Sequence, residues 1–145
     1  MVITKELCLD TCGHTDIQDI TRQVEQAVQA SGLQAGIVTV FCPGSTGGLT
    51  TIEYEGGAVA DLRQVLDEIV PLNRDYRHHR RWGDDNGSSH IRAALVGPSL
   101  TVPFVAGRLT LGTWQQIVFL DFDTHPRSRT LVVQVMGEAD CNSSA

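Results

Sequence analysis

Apolar and polar residues partly alternate through VITKELCL (2–9), and that period predicts a strand. A turn at Gly13 follows. In 19–32, Ile20, Val24, Ala27 and Val28 recur on one helical face, with Asp19 as the capping residue and Gly32 as the stop. GIVTVF (36–41) is apolar and β-branched, so it reads as a buried strand. LTTIEY (49–54) reads as another strand, broken by Gly56-Gly57. Residues 58–70 carry the clearest helical stripe, Val59, Leu62, Leu66 and Ile69, ended by Pro71.

The stretch 72–87 has no period and reads as a long loop; at that length such loops are usually functional or disordered. Tyr76 and Trp82 within it argue for order. A short helix is expected through HIRAALVG, capped by Ser88 or Asn86 and stopped by Gly97-Pro98. Strands follow at 99–105, 108–112, 114–122 and 129–137, and CNSSA at the end is expected to fray. The order is strand, helix, two strands, two helices, four strands. Consecutive strands joined by short turns predict antiparallel pairing, hence an α+β fold: one compact domain over 1–145, a largely antiparallel sheet with packed helices.

Composition narrows the function. The chain has 145 residues, 41% hydrophobic and 19% charged, as a soluble globular domain does. No stretch is long and apolar enough for a membrane span. MVITKELCLD lacks the basic start and apolar run of a signal peptide, so the cytoplasm is the expected location. A net charge of −6 argues against a nucleic-acid partner. Yet five of the 11 Lys and Arg residues, Arg74, Arg77, Arg80, Arg81 and Arg92, fall between 74 and 92. A basic cluster on an acidic chain suits a small anion. The four cysteines, Cys8, Cys12, Cys42 and Cys141, have no metal-site spacing, and Cys8 and Cys42 are expected to pack as small hydrophobes.

YRHHRRWGDDNGSSH (76–90) concentrates the candidate chemistry. His78 and His90 suit a metal, and Asp85 or Asn86 adds an oxygen ligand; a helix starting at Asn86 puts 86 and 90 on one face. Two histidines, one oxygen and water would make an open site. The plainer alternative is a hydrogen-bonded surface loop, with His79 exposed. Arg80 and Arg81 can bind phosphate oxygens, helped by the free N–H groups of the helix start at Ser88. Alternatively they pair with Asp84, Asp85 or other acids, to little energetic effect. In CPGSTGG (42–48), glycines with Ser45 and Thr46 can cradle a phosphate, but no Walker lysine is present, and a plain strand connection is the competing reading. Trp114 is expected in the core or an interface, Gln115 can orient a ligand, and His14 and His125 read as turn residues.

Four stretches, VFCPGSTGGLTTIEYE (40–55), DYRHHRRWGDDNGSSHIRAALVGPSLTVPF (75–104), GRLTLGTWQQIVFLDFD (107–123) and LVVQVMGE (131–138), together resemble the YjbQ-like family, also described as secondary thiamine-phosphate synthases. The resemblance implies an α+β domain assembled as a homotrimer, with a polar site for a metal or an anion. The family's Tyr-x-His histidine falls on His78, its acidic or amide pair on Asp85 and Asn86, its helix histidine on His90, and its Thr-Trp-Gln on Thr113, Trp114 and Gln115. Many members carry Pro-His-Thr-Ser where this chain has Pro43-Gly44-Ser45-Thr46, so a histidine is missing at Gly44, as in another branch of the family. The implied reaction joins a pyrimidine pyrophosphate to a thiazole phosphate and releases pyrophosphate.

The expected function is therefore a metal-assisted enzyme acting on a phosphorylated small molecule. His78, His90 and Asn86 are the expected ligands of a divalent metal, zinc or magnesium. Asp85, His90 and Gln115 are the expected catalytic residues, and Ser45, Thr46, Arg80, Arg81 and Ser88 the expected phosphate contacts. The rivals are a non-catalytic phosphometabolite-binding protein and a structural loop at a subunit interface.

Overall fold

The computed structural model describes residues 1–140. In chain order the elements are β1 (Val2–Thr11), β2 (Asp16–Asp19), α1 (Thr21–Ser31), β3 (Ala35–Phe41), β4 (Gly47–Ile52), α2 (Gly56–Ile69), α3 (Arg77–Trp82), α4 (Gly87–Val96), β5 (Ser99–Val105), β6 (Arg108–Leu109), β7 (Gln116–Asp121) and β8 (Arg127–Glu138). Every pairing is antiparallel. A five-stranded sheet has the order β1-β8-β3-β5-β6, and a three-stranded sheet the order β2-β7-β4. The expected α+β class holds.

Strand β7 explains the layering. Its run IVFL (117–120) is apolar at successive positions because both faces are covered. Ile117 and Phe119 join α1 (Val24, Val28) and the five-stranded sheet (Val38, Leu131, Val133) in one core. Val118, Leu120 and Phe122 point the other way, onto Val59 and Leu66 of α2 and Ala93 of α4. The layers are therefore a large sheet, a core shared with α1, a small sheet, and then α2 and α4. None of the described helices is long and apolar enough to cross a membrane.

Several boundaries differ from expectation, each for a local reason. Asp19 ends β2, a strand the pattern did not reveal, and its carboxylate accepts from the Thr21 N–H and hydroxyl at 3.0 and 2.7 Å. The strand expected over 49–54 already ends at Ile52, and Gly56-Gly57 form the first turn of α2, because the Glu55 carboxylate caps it, accepting from Gly57 N at 2.7 Å and Ala58 N at 2.9 Å. Ile69 falls off the buried stripe and is exposed. The expected strand 108–112 shrinks to two residues. The Gln115 side chain holds the segment after it, accepting from Gly112 N at 3.0 Å. Trp114 is exposed rather than core. Cys42 is buried as expected, whereas Cys8 faces outward on β1. His14 and His125 lie in turns. The expected fraying of CNSSA lies outside the described residues.

The stretch 72–87 is not one loop: it contains α3. None of the six residues of α3 is buried, so no apolar period could announce the helix. Gly83, in the left-handed region at φ 65°, stops it.

Candidate functional site

An open cleft of about 510 Å³ lies between α3 and α4, lined by Arg74, Tyr76, Arg77, His78, Gly87 and His90 among others. Three contacts fix its walls. The Tyr76 hydroxyl donates to the Pro71 carbonyl at 2.7 Å. His79 Nε2 accepts from Gly87 N at 3.2 Å, so an imidazole satisfies a free N–H of the first turn of α4. A Cβ on Gly87 would sit 2.6 Å from Tyr76 Cβ, and glycine is what lets the two helices meet. His79 is thus not the exposed residue expected: its side chain is only 17% exposed and joins α3 to α4.

His78 and His90 come together across this cleft, with ring centroids 4.4 Å apart at 51°. His90 Nδ1 lies 3.1 Å from the Ser45 carbonyl oxygen. A carbonyl only accepts, so Nδ1 is the donor here, and in the neutral ring the lone pair lies on Nε2. A metal-binding or proton-accepting histidine is commonly oriented this way. His78 Nδ1 is 3.2 Å from Asp84 Oδ1, near enough for an ion pair but not aligned as a hydrogen bond.

Two buried side-chain atoms among the described residues have no hydrogen-bond partner: His78 Nδ1 and Asn86 Oδ1. Asn86 occupies the N-cap position of α4, yet its side chain makes no capping bond. An unpaired buried polar atom costs about 1–3 kcal/mol. Both orphans belong to the residues that the sequence nominates as metal ligands. No group of three or more His, Cys, Asp or Glu is gathered for a metal among the described residues.

The remaining nominated residues are scattered. Arg80 pairs with Asp75 at 2.6 Å and Arg81 lies 5.4 Å from the ring centre of Trp82; the cleft arginines are instead Arg74 and Arg77. Asp85, at φ 52°, projects into solvent near His79 Nδ1, 3.7 Å away. Ser88 is buried inside α4 rather than capping it. Gln115 lines a different cleft, of about 410 Å³ between β4 and β5, and its Nε2 donates to Thr51 Oγ1 at 3.2 Å. Ser45 is exposed, with its carbonyl on His90. Thr46 is buried.

Thr46 leads to a network that the sequence reading missed. Arg129 Nε and Nη2 donate to the two oxygens of Asp121 at 2.8 and 2.9 Å. Arg129 Nη2 also donates to Thr46 Oγ1 at 2.7 Å, and Thr46 Oγ1 donates to Asp123 Oδ2 at 3.1 Å. Thr11 Oγ1 donates to Asp121 at 2.5 Å, and Arg127 Nη1 to Asp123 at 2.8 Å. Burial pushes the Asp121 carboxyl up, but the hydrogen bonds from Arg129, Thr11 and the Asp123 N–H outweigh it and hold the carboxyl low. The Asp121 hydrogen bond in turn raises the Arg129 guanidinium against its burial. A signal existed: Asp121 continues the inward positions Ile117 and Phe119, and Arg129 those of Leu131, Val133 and Val135. Opposite charges on two inward faces imply a pair.

Comparison with known proteins places the chain. A family profile described as UPF0047 protein YjbQ-like matches residues 5–138. A UPF0047 protein of Archaeoglobus fulgidus is 40% identical over 90% of this chain and 99% of its own length. The YugU protein of Bacillus subtilis, likewise a UPF0047 protein, is 36% identical over 92% and 98%. A crystal structure of a YjbQ-like protein from Sulfolobus solfataricus, described as of unknown function, superposes with a TM-score of 0.89 at 31% identity, covering 95% of this chain and 99% of that one. One from Clostridium acetobutylicum gives 0.83 at 36%, covering 91% and 99%. The chain belongs to the YjbQ-like UPF0047 family.

Proposed function

We propose that the α3–α4 cleft is the site of a metal-assisted enzyme acting on a phosphorylated small molecule, with thiamine-phosphate synthesis as the reaction to test first. The observation that carries it is the pair of buried atoms without a hydrogen bond, His78 Nδ1 and Asn86 Oδ1, the first on a ring that faces His90 and the second on the residue whose carbonyl accepts from the His90 N–H. Their chemistry fits a divalent ion: imidazole suits zinc, and amide and water oxygens suit magnesium. His78, His90 and Asn86 would hold the ion, and water would complete the shell. When bound, such an ion neutralises phosphate charge.

The chain's own residues supply the rest. Arg74 and Arg77 take the phosphate role that the sequence assigned to Arg80 and Arg81, because they line the cleft. The Ser45 carbonyl accepts from His90 Nδ1 and fixes the orientation of the ring. The link between pyrimidine and pyrophosphate breaks as the thiazole phosphate is joined, and the departing negative charge is what the arginines offset. Asp85 and Gln115 do not line this cleft.

A second reading, anion binding without turnover, is favoured by the absence, among the described residues, of a group of three or more His, Cys, Asp or Glu arranged to hold a metal ion.

The deciding experiment is metal content by elemental analysis on untagged protein, wild type and His90→Ala, followed by turnover of the two thiamine precursors. About one ion per chain, lost with His90, together with product from the wild type only, is the expected result. Metal-free wild type that binds precursors without product would establish the second reading instead.

A further inference from the structure

Arg129 is 6% exposed, and its guanidinium is nearly spent. Nε and Nη2 are committed to Asp121 and Thr46. Nη1 makes no hydrogen bond among the described residues, yet it is not one of the sealed orphan atoms, so it reaches solvent. What lies over it is Gly44. A Cβ built at Gly44 would meet one atom within 4 Å, Arg129 Nη1, at 3.5 Å. Gly44 itself sits at φ 131°, where a residue with a side chain is strained. The loop thus presents a bare glycine above a free guanidinium nitrogen, and the next residue, Ser45, holds His90 through its carbonyl.

We propose that Arg129 Nη1, uncovered by Gly44, is an anion-binding donor that takes a phosphate or pyrophosphate oxygen. This rests on the reading that the ligand is phosphorylated, and names the donor for it. The physical case has three parts. A guanidinium is always charged and rigid, so its unpaired edge is already aimed. The Asp121 bidentate pair and the Thr46 hydroxyl fix its plane, leaving little motion to lose on binding. The local charge is balanced, Arg127 and Arg129 against Asp121 and Asp123, so an added anion is drawn by the directed N–H bonds rather than by a net positive field. Asp123 Oδ2, 3.8 Å from Nη2, is the nearest opposing charge beyond Asp121. The lack of a side chain at Gly44 leaves room for the oxyanion above Nη1.

The test is titration of inorganic pyrophosphate and, separately, inorganic phosphate into the full chain. Binding is read by calorimetry and by the ¹⁵N resonances of the Arg129 guanidinium. Arg129→Lys and Gly44→Ala are compared with wild type, and His90→Ala is run beside them. We expect wild type to bind with the Arg129 resonances shifting. Both variants should lose roughly tenfold or more in affinity, the scale of one charged hydrogen bond. Should Arg129→Lys not fold, Gly44→Ala and the wild-type resonances still decide. Pyrophosphate binding that disappears with His90 but leaves the Arg129 resonances and the Gly44→Ala affinity unchanged would overturn this donor while keeping the cleft reading. Absence of anion binding to wild type would overturn it outright, whereas the metal analysis judges the cleft independently.

Discussion

Arg129 of β8 grips Asp121 of β7 with two hydrogen bonds of 2.8 and 2.9 Å, and so joins the five-stranded sheet to the three-stranded one through a buried ion pair. Asp121 is 0% exposed and Arg129 6%. Such a pair adds little over an apolar contact of the same shape, but breaking one side of it strands the other charge. Asp121→Asn should therefore destabilise the fold by about 3–5 kcal/mol. Urea unfolding measures this; a loss below about 1 kcal/mol would show that Arg129 finds another acceptor.

The same carboxylates set the acid limit. Burial raises Asp121, and the hydrogen bonds from Arg129, Thr11 and Asp123 N–H more than reverse it, to below its ordinary 3.8. Asp123 behaves alike: burial raises it, while the bonds from Arg127, Thr124 N–H and Thr46 lower it further. A carboxyl that is more acidic when folded stabilises the fold above its ordinary value. That stabilisation is lost as pH falls through the folded value. Stability should hold from neutrality down toward the ordinary carboxyl range and fall below it, with a shallower acid slope in Asp121→Asn. An identical slope in variant and wild type would assign the acid transition elsewhere.

Asn86→Ala separates ligand binding from stability. It removes a buried acceptor that has no partner and forfeits no capping bond. The ligand-free protein should gain about 1 kcal/mol, or about 2–4 °C in Tm, while losing bound metal. A lower Tm would mean that the amide has a structural partner after all.

Gly87→Ala attacks the joint between the two site helices. The new Cβ would lie 2.6 Å from Tyr76 Cβ and 3.2 Å from His79 Nε2. We expect a loss of about 1–3 kcal/mol, as for other overpacked contacts, together with loss of anion affinity. Unchanged melting and binding in this variant would count against a tight α3–α4 contact.

The sequence exposed what is periodic. Val24 and Val28 of α1, Val59 and Leu66 of α2, and the run through β7 announced their elements because burial imposes a period. Asp16–Asp19 was hidden because four residues are too few to show alternation, and α3 because none of its residues is fully buried and it has no apolar stripe. Within the site, His78 and His90 were legible as residue types, and the structure does bring their rings together. Which arginines face the cleft was not legible, since Arg77 and Arg80 differ only by their place around one short turn. The Arg129–Asp121 pair could have been read from charges on inward strand positions, but only with the two strands known to face each other.

That α3 buries none of its six residues has one more consequence. The helix carries His78 and a wall of the cleft, yet the core keeps no stake in its identity. Arg77, Arg80, Arg81 and Trp82 can be recoded with little risk to folding, provided Gly83 stops the turn and His79 still reaches Gly87. The segment is a replaceable cassette, and libraries confined to it would change ligand preference on an unaltered scaffold.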